Sequence, residues 1–546
     1  MFTALWQTGA SRLSWWLAGI GLVLLAGLVG APAIERIPLE SHEVFVVQST
    51  REMAARTDWL TPWFNGAPRL NKPPMNYWLT GAVAAIDGSL PTAEAGHARA
   101  VSVLAGMGMV AIALWLGAVL FDRQTAGLAA LLLASSAGLV TYAHNARPDM
   151  LYAFWVSLLL ASAVVPLHRA REAADSLPGI GQSALMWFAF IGATLTKGPH
   201  VPLMVLAGVV LAAWRQQGRV LPVLRTLRLG GGVMAVSLLC GGWWLWLRLQ
   251  LDGGALGGSQ LGGSLLMPSL SRLGNPYYFY RPLQLLVPWL PLLVPGALLF
   301  CLPEARRGTG WLWWPLLVTC GALSLGRQYR YFYLLPLLVP LCLLAARAFT
   351  VGLASSATRW VRPLLWFVLL LQTVLVLGAA GWVLVRSGRA GWLTPSLLGL
   401  VLALTVAGVV VFRLRALDRR YTLLVGLALV VAGLWPGAAL NGLLWAKERY
   451  ESAQLAAEAA RVAGGDTPIV TYGLSPTLYV HAANRRVRHV NSPERLAALL
   501  ASAPGERLVL VTSSDRLPEL PPALVATERA RTHHGGREEV LLVTGK

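Results

Sequence analysis

Acidic residues are scarce. The 546-residue chain holds 25 Asp+Glu against 45 Lys+Arg, and charged residues make up only 13% of it. That is about half the share found in soluble globular domains, which argues against a soluble enzyme of this size. With 56% of residues hydrophobic, disorder is excluded as well. Cysteine is nearly absent: Cys240, Cys301, Cys320 and Cys342 all fall in apolar stretches and read as small buried hydrophobes. Neither a disulfide framework nor a Cys/His metal spacing is present. The sequence also lacks an internal repeat, a low-complexity tail and a credible glycine-rich phosphate loop. What remains is a polytopic membrane protein.

A bilayer core takes about 20 apolar residues per helical span. That ruler marks about thirteen spans, near 14–34, 99–121, 126–143, 150–167, 183–196, 200–214, 230–248, 283–301, 310–325, 331–346, 363–385, 394–412 and 421–441. The first is too long for a signal-peptide core and is read as a retained helix. With a cytoplasmic N-terminus, the short inner loops collect arginines such as Arg123, Arg169, Arg215, Arg225, Arg228, Arg306, Arg347, Arg413 and Arg420. Few basic residues then fall outside, as the positive-inside rule requires. The net charge of +20 is thus mostly a topology signal and needs no nucleic-acid partner. Thirteen spans place the C-terminus outside.

Three external segments are long enough to act. Residues 35–98 form the first loop, and a glycine-dense stretch after Asp252 offers either a lid or a plain linker. Residues 442–546 lose the membrane composition, so the transmembrane domain is placed at 1–441. In that last segment Pro468–Tyr472, Arg486–Val490, Leu508–Thr512 and Glu539–Val543 read as strands. Pro476–Ala483 and Pro493–Ala503 read as helices. Alternating short strands and helices predict a small α/β domain. The fold expectation is therefore an all-α polytopic membrane protein with external juxtamembrane helices and that domain.

External ionisable groups beside a membrane are costly unless paired or functional. The first loop concentrates them: Glu40, His42, Glu43, Arg51, Glu52 and Asp58, then Arg69-Leu70-Asn71-Lys72-Pro73-Pro74 and Tyr77-Trp78. Residues 43–53 have helical spacing, and Trp59 and Trp63 suit an interfacial belt. Two prolines after Lys72 hold its backbone extended; the alternative is a lysine that snorkels to headgroups.

The order acidic pair, Arg-Glu-Met, Asp-Trp, Asn-Gly, Lys-Pro-Pro, Tyr-Trp resembles the first periplasmic loop of bacterial GT-C glycosyltransferases. Lipid A aminoarabinose transferases and the wider protein-O-mannosyltransferase-like family carry that pattern. The resemblance continues through Arg147-Pro-Asp-Met150, Thr196-Lys-Gly-Pro199, Pro276-Tyr-Tyr-Phe-Tyr280 with Pro288-Trp289, and Arg327-Gln-Tyr-Arg-Tyr-Phe-Tyr-Leu-Leu-Pro336. It covers roughly residues 35–340. Each motif is weak alone; together and in order they are specific.

The resemblance implies inverting transfer of a sugar from a polyprenyl-phosphate donor to lipid A, another glycan or a protein at the outer face of the bacterial inner membrane. Such chemistry needs a proton acceptor, cations on the leaving phosphate and a groove that excludes water. Lys72, Arg327, Arg330 and Lys197 are the candidate phosphate contacts. Asn71, Arg51, Tyr77, Tyr329 and Tyr331 are expected to line the substrate. The family's Asp-Glu pair falls on His42-Glu43, and its Phe-Glu-Lys-Pro becomes Leu70-Asn71-Lys72-Pro73. His42, Glu43 and Asp149 are the candidate catalytic groups, with Asp149 equally suited to capping a helix. The two departures imply a changed sugar or acceptor. The acid set can bind a divalent cation, but no ligand spacing supports one. A flippase of lipid-linked sugars, a protein O-glycosyltransferase and a silent structural relative stay open as alternatives. A transporter would show paired halves with broken helices, which this sequence does not.

Overall fold

The structure is a computed structural model. It describes residues 12–172, 180–218, 221–251, 277–293, 306, 308–326, 329–354, 361–389, 404, 418–440, 448–502, 506–521, 524, 526–534 and 537–544. The chain divides into two compact units: residues 1–33, 70–76 and 99–443 form one, and residues 34–69, 77–98 and 444–546 the other.

The first unit is helical. Backbone N–H and C=O groups in lipid must be satisfied within their own segment, and runs of Leu, Ala and Val do this as helices. Among the described residues seven helices are long and apolar enough to cross a membrane, including Ala95–Leu120, Asp149–Arg169, Pro363–Val383 and Arg419–Ala439. The pair Arg123–Ala134 and Ala137–Ala143, bent by 51°, makes an eighth if counted as one span. The chain is thus a multi-pass membrane protein. The bend has a local cause. Ser135 and Ser136 turn their hydroxyls back onto Leu131 O and Leu133 O at 2.7 and 2.8 Å, and Trp289 Nε1 donates to Ser135 Oγ at 3.1 Å. Such back-bonding competes with the helix ladder.

Three expected spans are shorter apolar helices, Ile180–Lys197, His200–Gln217 and Gly310–Ser324. The span expected at 283–301 opens differently, with a short helix Pro282–Leu285 and a 3₁₀ turn Leu290–Leu292. Pro288 and Pro291 lack the N–H that a continuous helix needs. The span at 394–412 lies outside the described residues except for 404, as does the glycine-dense stretch after Asp252. Cys240, Cys320 and Cys342 are unbonded thiols.

The second unit joins the first loop to the C-terminal segment. A two-stranded ribbon, β1 (Trp63–Phe64) and β2 (Ala67–Pro68), accompanies a five-stranded sheet. That sheet comprises β3 (Ile469–Tyr472), β4 (Arg488–Val490), β5 (Leu508–Ser513), β6 (Ala526–His534) and β7 (Arg537–Thr544). Its order is β4-β3-β5-β7-β6. β3 runs parallel to β4 and β5, while β7 is antiparallel to β5 and β6. Alternate residues feed two cores. Ile469, Val509, Val511, Leu541 and Val543 pack with Leu455 and Ala459 of helix Glu448–Ala463. Val470, Leu508, Leu510, Val540 and Leu542 pack with Leu496 of helix Pro493–Ser502. Phe64 from the first loop packs against the former core.

Candidate functional site

In the membrane unit, polar groups converge where helix Asp149–Glu172 begins and helix Ile180–Lys197 ends. Lys197 Nζ donates to Asp149 Oδ1, and both side chains are almost fully buried, 7% and 4% exposed. Arg147 Nε lies 3.6 Å from Asp149 Oδ2. Asp149 sits in the first turn of its helix, where the positive end of the helix dipole also favours a carboxylate. Three aromatic faces box in the ammonium: Tyr333 at 4.5 Å, Phe332 at 5.0 Å and Tyr152 at 5.8 Å from ring centroid to Nζ. Arg147 stacks on Phe332 at 4.9 Å. Cation–π attraction strengthens when the cation is desolvated, so the box offsets part of the cost of burying Lys197.

The Lys-Gly-Pro turn that carries Lys197 is built around Gly198 at φ +105°, a conformation L side chains rarely adopt. Tyr152 Oη donates to Gly198 O at 2.9 Å and accepts from Val201 N at 3.3 Å. One phenol therefore pins both sides of the turn. Lys72 is half-buried, and its charge, with that of Lys197, bears on the His200 ring. Lys72 and Lys197 thus both act on His200.

In the second unit, Ser41–Arg56 is a helix whose N-terminus is a capping box. The Glu43 carboxylate accepts from Glu40 N at 2.9 Å. Arg449 donates to Glu40 Oε2 at 2.5 Å and to Glu43 Oε2 at 3.4 Å. Glu43 is fully buried, whereas the His42 side chain is 63% exposed with Nδ1 3.5 Å from Glu40 Oε1. Arg51 is buried and donates to Ala93 O at 2.7 Å and Glu94 Oε1 at 2.6 Å. Its Nη1 lies 3.3 Å from His481 Nδ1. Burial pushes the Arg51 guanidinium below its usual range, with Glu94 pulling the other way. Burial and the facing Arg51 charge push the His481 imidazole down to about 4.

Several loop motifs hold the unit together. Asn65 and Gly66, at φ +56° and +75°, form the left-handed pair that a two-residue hairpin turn demands. Glu52 accepts from both of their backbone N–H groups, and the Asn65 amide both donates to Val487 O and accepts from Val487 N at 2.9 Å. Asp58 accepts from Leu60 N, Thr61 N and Trp63 Nε1 at 2.9–3.1 Å. Trp63 is therefore tied into the loop, under Arg56 at 4.2 Å.

The other expected site residues are placed as follows. Asn71 is half-buried in the turn before Lys72. Tyr77 is buried, with its hydroxyl accepting from Arg69 Nη1 at 3.3 Å. Tyr329 donates to Ser324 O at 3.2 Å and stacks beside Tyr277. Arg330 is exposed, and its backbone N donates to the Tyr278 hydroxyl at 3.0 Å. Tyr331 lies 6.5 Å from the Tyr142 ring. Arg327 is outside the described residues. The span expected at 331–346 opens with a 3₁₀ helix, Tyr331–Leu337. The adjacent Phe332 and Tyr333 rings both lie within 5.0 Å of Lys197 Nζ. Tyr152, His200, Arg449 and His481 carry no motif of their own. Among the described residues no three His, Cys, Asp or Glu side chains converge as a metal site.

A family pattern described as dolichyl-phosphate-mannose-protein mannosyltransferase matches residues 41–249. Crystal structures of ArnT from Cupriavidus metallidurans superpose over 98% of both chains. The TM-score is 0.73 for the apo state at 19% identity, and 0.71 at 18% identity for the state bound to undecaprenyl phosphate. The fold is therefore that of ArnT, a GT-C membrane protein with a small C-terminal α/β domain. In sequence the chain is similar to the undecaprenyl phosphate-alpha-4-amino-4-deoxy-L-arabinose arabinosyl transferase of Pseudomonas aeruginosa, 29% identical over 57% of each chain. It is 30% identical to an uncharacterized Aquifex aeolicus protein over 49% of this chain and 50% of that one. The resemblance read from the loop motifs is thus borne out. The chain spans about half the length of the curated relatives it matches.

Proposed function

We propose that this protein is a membrane glycosyltransferase that moves a sugar from a polyprenyl-phosphate donor to a cell-envelope acceptor. The observation that carries the reading is the Lys197–Asp149–Arg147 cluster, with Lys72 and Lys197 both acting on the adjoining His200. It gathers cations for a leaving phosphate in a fold whose ArnT representative binds undecaprenyl phosphate. The acceptor hydroxyl attacks the anomeric carbon, the bond from that carbon to the phosphate oxygen breaks, and the hydroxyl proton passes to a base. Lys72, with Lys197, Arg327 and Arg330, is assigned to the phosphate. Asn71, Arg51, Tyr77, Tyr329 and Tyr331 are assigned to the walls around the substrate. Between the two candidate bases, His42 is the one open to solvent, while Glu43 is committed to the helix cap and to Arg449. His42 is therefore assigned as the base, and Glu43 as the cap of the helix turn that carries it.

The acceptor class is lipid A, another surface glycan or a protein. Arginine-rich inner loops support an inner-membrane protein with a cytoplasmic N-terminus and a periplasmic domain at 442–546. His42 and Asn71, where the family carries carboxylates, support a sugar or acceptor other than that of the aminoarabinose enzymes. The test is incubation of purified protein in detergent with radiolabelled polyprenyl-phosphate sugars and with lipid A, glycan and peptide acceptors. Wild type transfers label and Lys72→Ala loses at least about a hundredfold. Absence of transfer from every donor by the wild type overturns the reading.

A further inference from the structure

His200 follows the Lys197-Gly198-Pro199 turn and opens the helix His200–Gln217. Its Nε2 is buried and meets no hydrogen-bond partner among the described residues. Buried ring nitrogens are nearly always satisfied, so an orphaned one calls for a reason. Here the backbone on both sides of the ring is fixed, since Tyr152 Oη holds Gly198 O and Val201 N. The Tyr152 ring itself lies 5.8 Å from the imidazole. A Cβ on Gly198 would lie 3.4 Å from His200 Nδ1, in ordinary contact.

The charges that bear on His200 are those of Lys72 and Lys197. The nearby carboxylate, Asp149, is already engaged by Lys197 and Arg147. With its proton on Nε2, a neutral imidazole beside two ammonium groups selects an anion, and tetrahedral phosphate offers enough oxygens to accept from several donors at once.

Resting on the reading above, we propose that His200 Nε2 donates a hydrogen bond to the phosphate of the polyprenyl donor and, beside Lys72, fixes the leaving group in place. His200 is then a phosphate-binding residue that the loop motifs do not reveal.

The probes are undecaprenyl phosphate and its uncharged counterpart undecaprenol, titrated in detergent against the full chain by tryptophan fluorescence. His200→Leu is expected to weaken undecaprenyl phosphate about tenfold, the scale of a hydrogen bond to a charged group, and to leave undecaprenol unchanged. His200→Gln, whose amide N–H reaches the same place, is expected to bind within about twofold of wild type. Equal loss for both lipids, or no loss for either, overturns the role of His200 while the transferase reading stands. A wild type that binds neither lipid overturns both. Thermal unfolding of each variant separates misfolding from lost binding, and rescue by Gln supports the proposal even if Leu unfolds.

Discussion

Arg449, from the C-terminal segment, donates to Glu43 of the first-loop helix at 3.4 Å, although 406 residues separate them in sequence. The same guanidinium reaches Glu40, so the helix N-terminus is held by a residue that no local pattern could supply. Removing it takes a compensating positive charge away from a fully buried carboxylate. Arg449→Met is expected to destabilise the protein by about 2–4 kcal/mol, read as a lowered midpoint in thermal unfolding. Glu43→Gln keeps a capping side chain and is expected to cost less.

His42 and Glu43 separate by what they lose. With His42 as base, His42→Ala lowers kcat about a hundredfold or more and leaves unfolding within about 0.5 kcal/mol of wild type. Transfer rates under saturating donor decide the matter. A fully active His42→Ala beside a dead Glu43→Gln would reassign the base to Glu43.

Asp149 and Lys197 are buried together. Asp149→Asn strands an ammonium inside its aromatic box and is expected to cost about 3–5 kcal/mol. The double variant Asp149→Leu with Lys197→Met is expected to recover most of that loss, because breaking such a pair costs more than replacing it with apolar groups. A double-mutant unfolding cycle measures the coupling.

The C-terminal unit carries an acid-sensitive element. His481 has its imidazole depressed to about 4 by burial and Arg51, so the folded state favours the neutral ring. Its stability contribution is complete above the unfolded value near 6.5 and disappears as pH falls from there through 4. His481→Gln is expected to flatten the pH dependence of the unfolding midpoint across that window.

Much of this was legible because the informative residues are contiguous. Lys-Pro-Pro, Arg-Pro-Asp-Met and Lys-Gly-Pro each specify a stiff or left-handed backbone through their own chemistry, and apolar runs longer than about 18 residues declare their spans. Four strands of the terminal domain are legible to within one to two residues as short runs alternating with helices. β6 escaped because Ala526–His534 is rich in Arg, Glu and His, the composition of a charged edge strand. The partners of Glu43, Glu52 and Asp149 were also invisible. Arg449 lies some four hundred residues from Glu43, and Lys197 lies 48 from Asp149. Glu52 read as a site carboxylate, but it accepts from the turn amides of Asn65 and Gly66. Only the folded ribbon reveals that.

The Asn65 amide grips Val487 through both of its polar atoms, and Phe64 enters the core beneath the sheet. A chimera that took residues 448–544 from a relative while keeping this loop would break that clasp. Loop and tail therefore fold as a matched pair, and a change in one must be tolerated by the other.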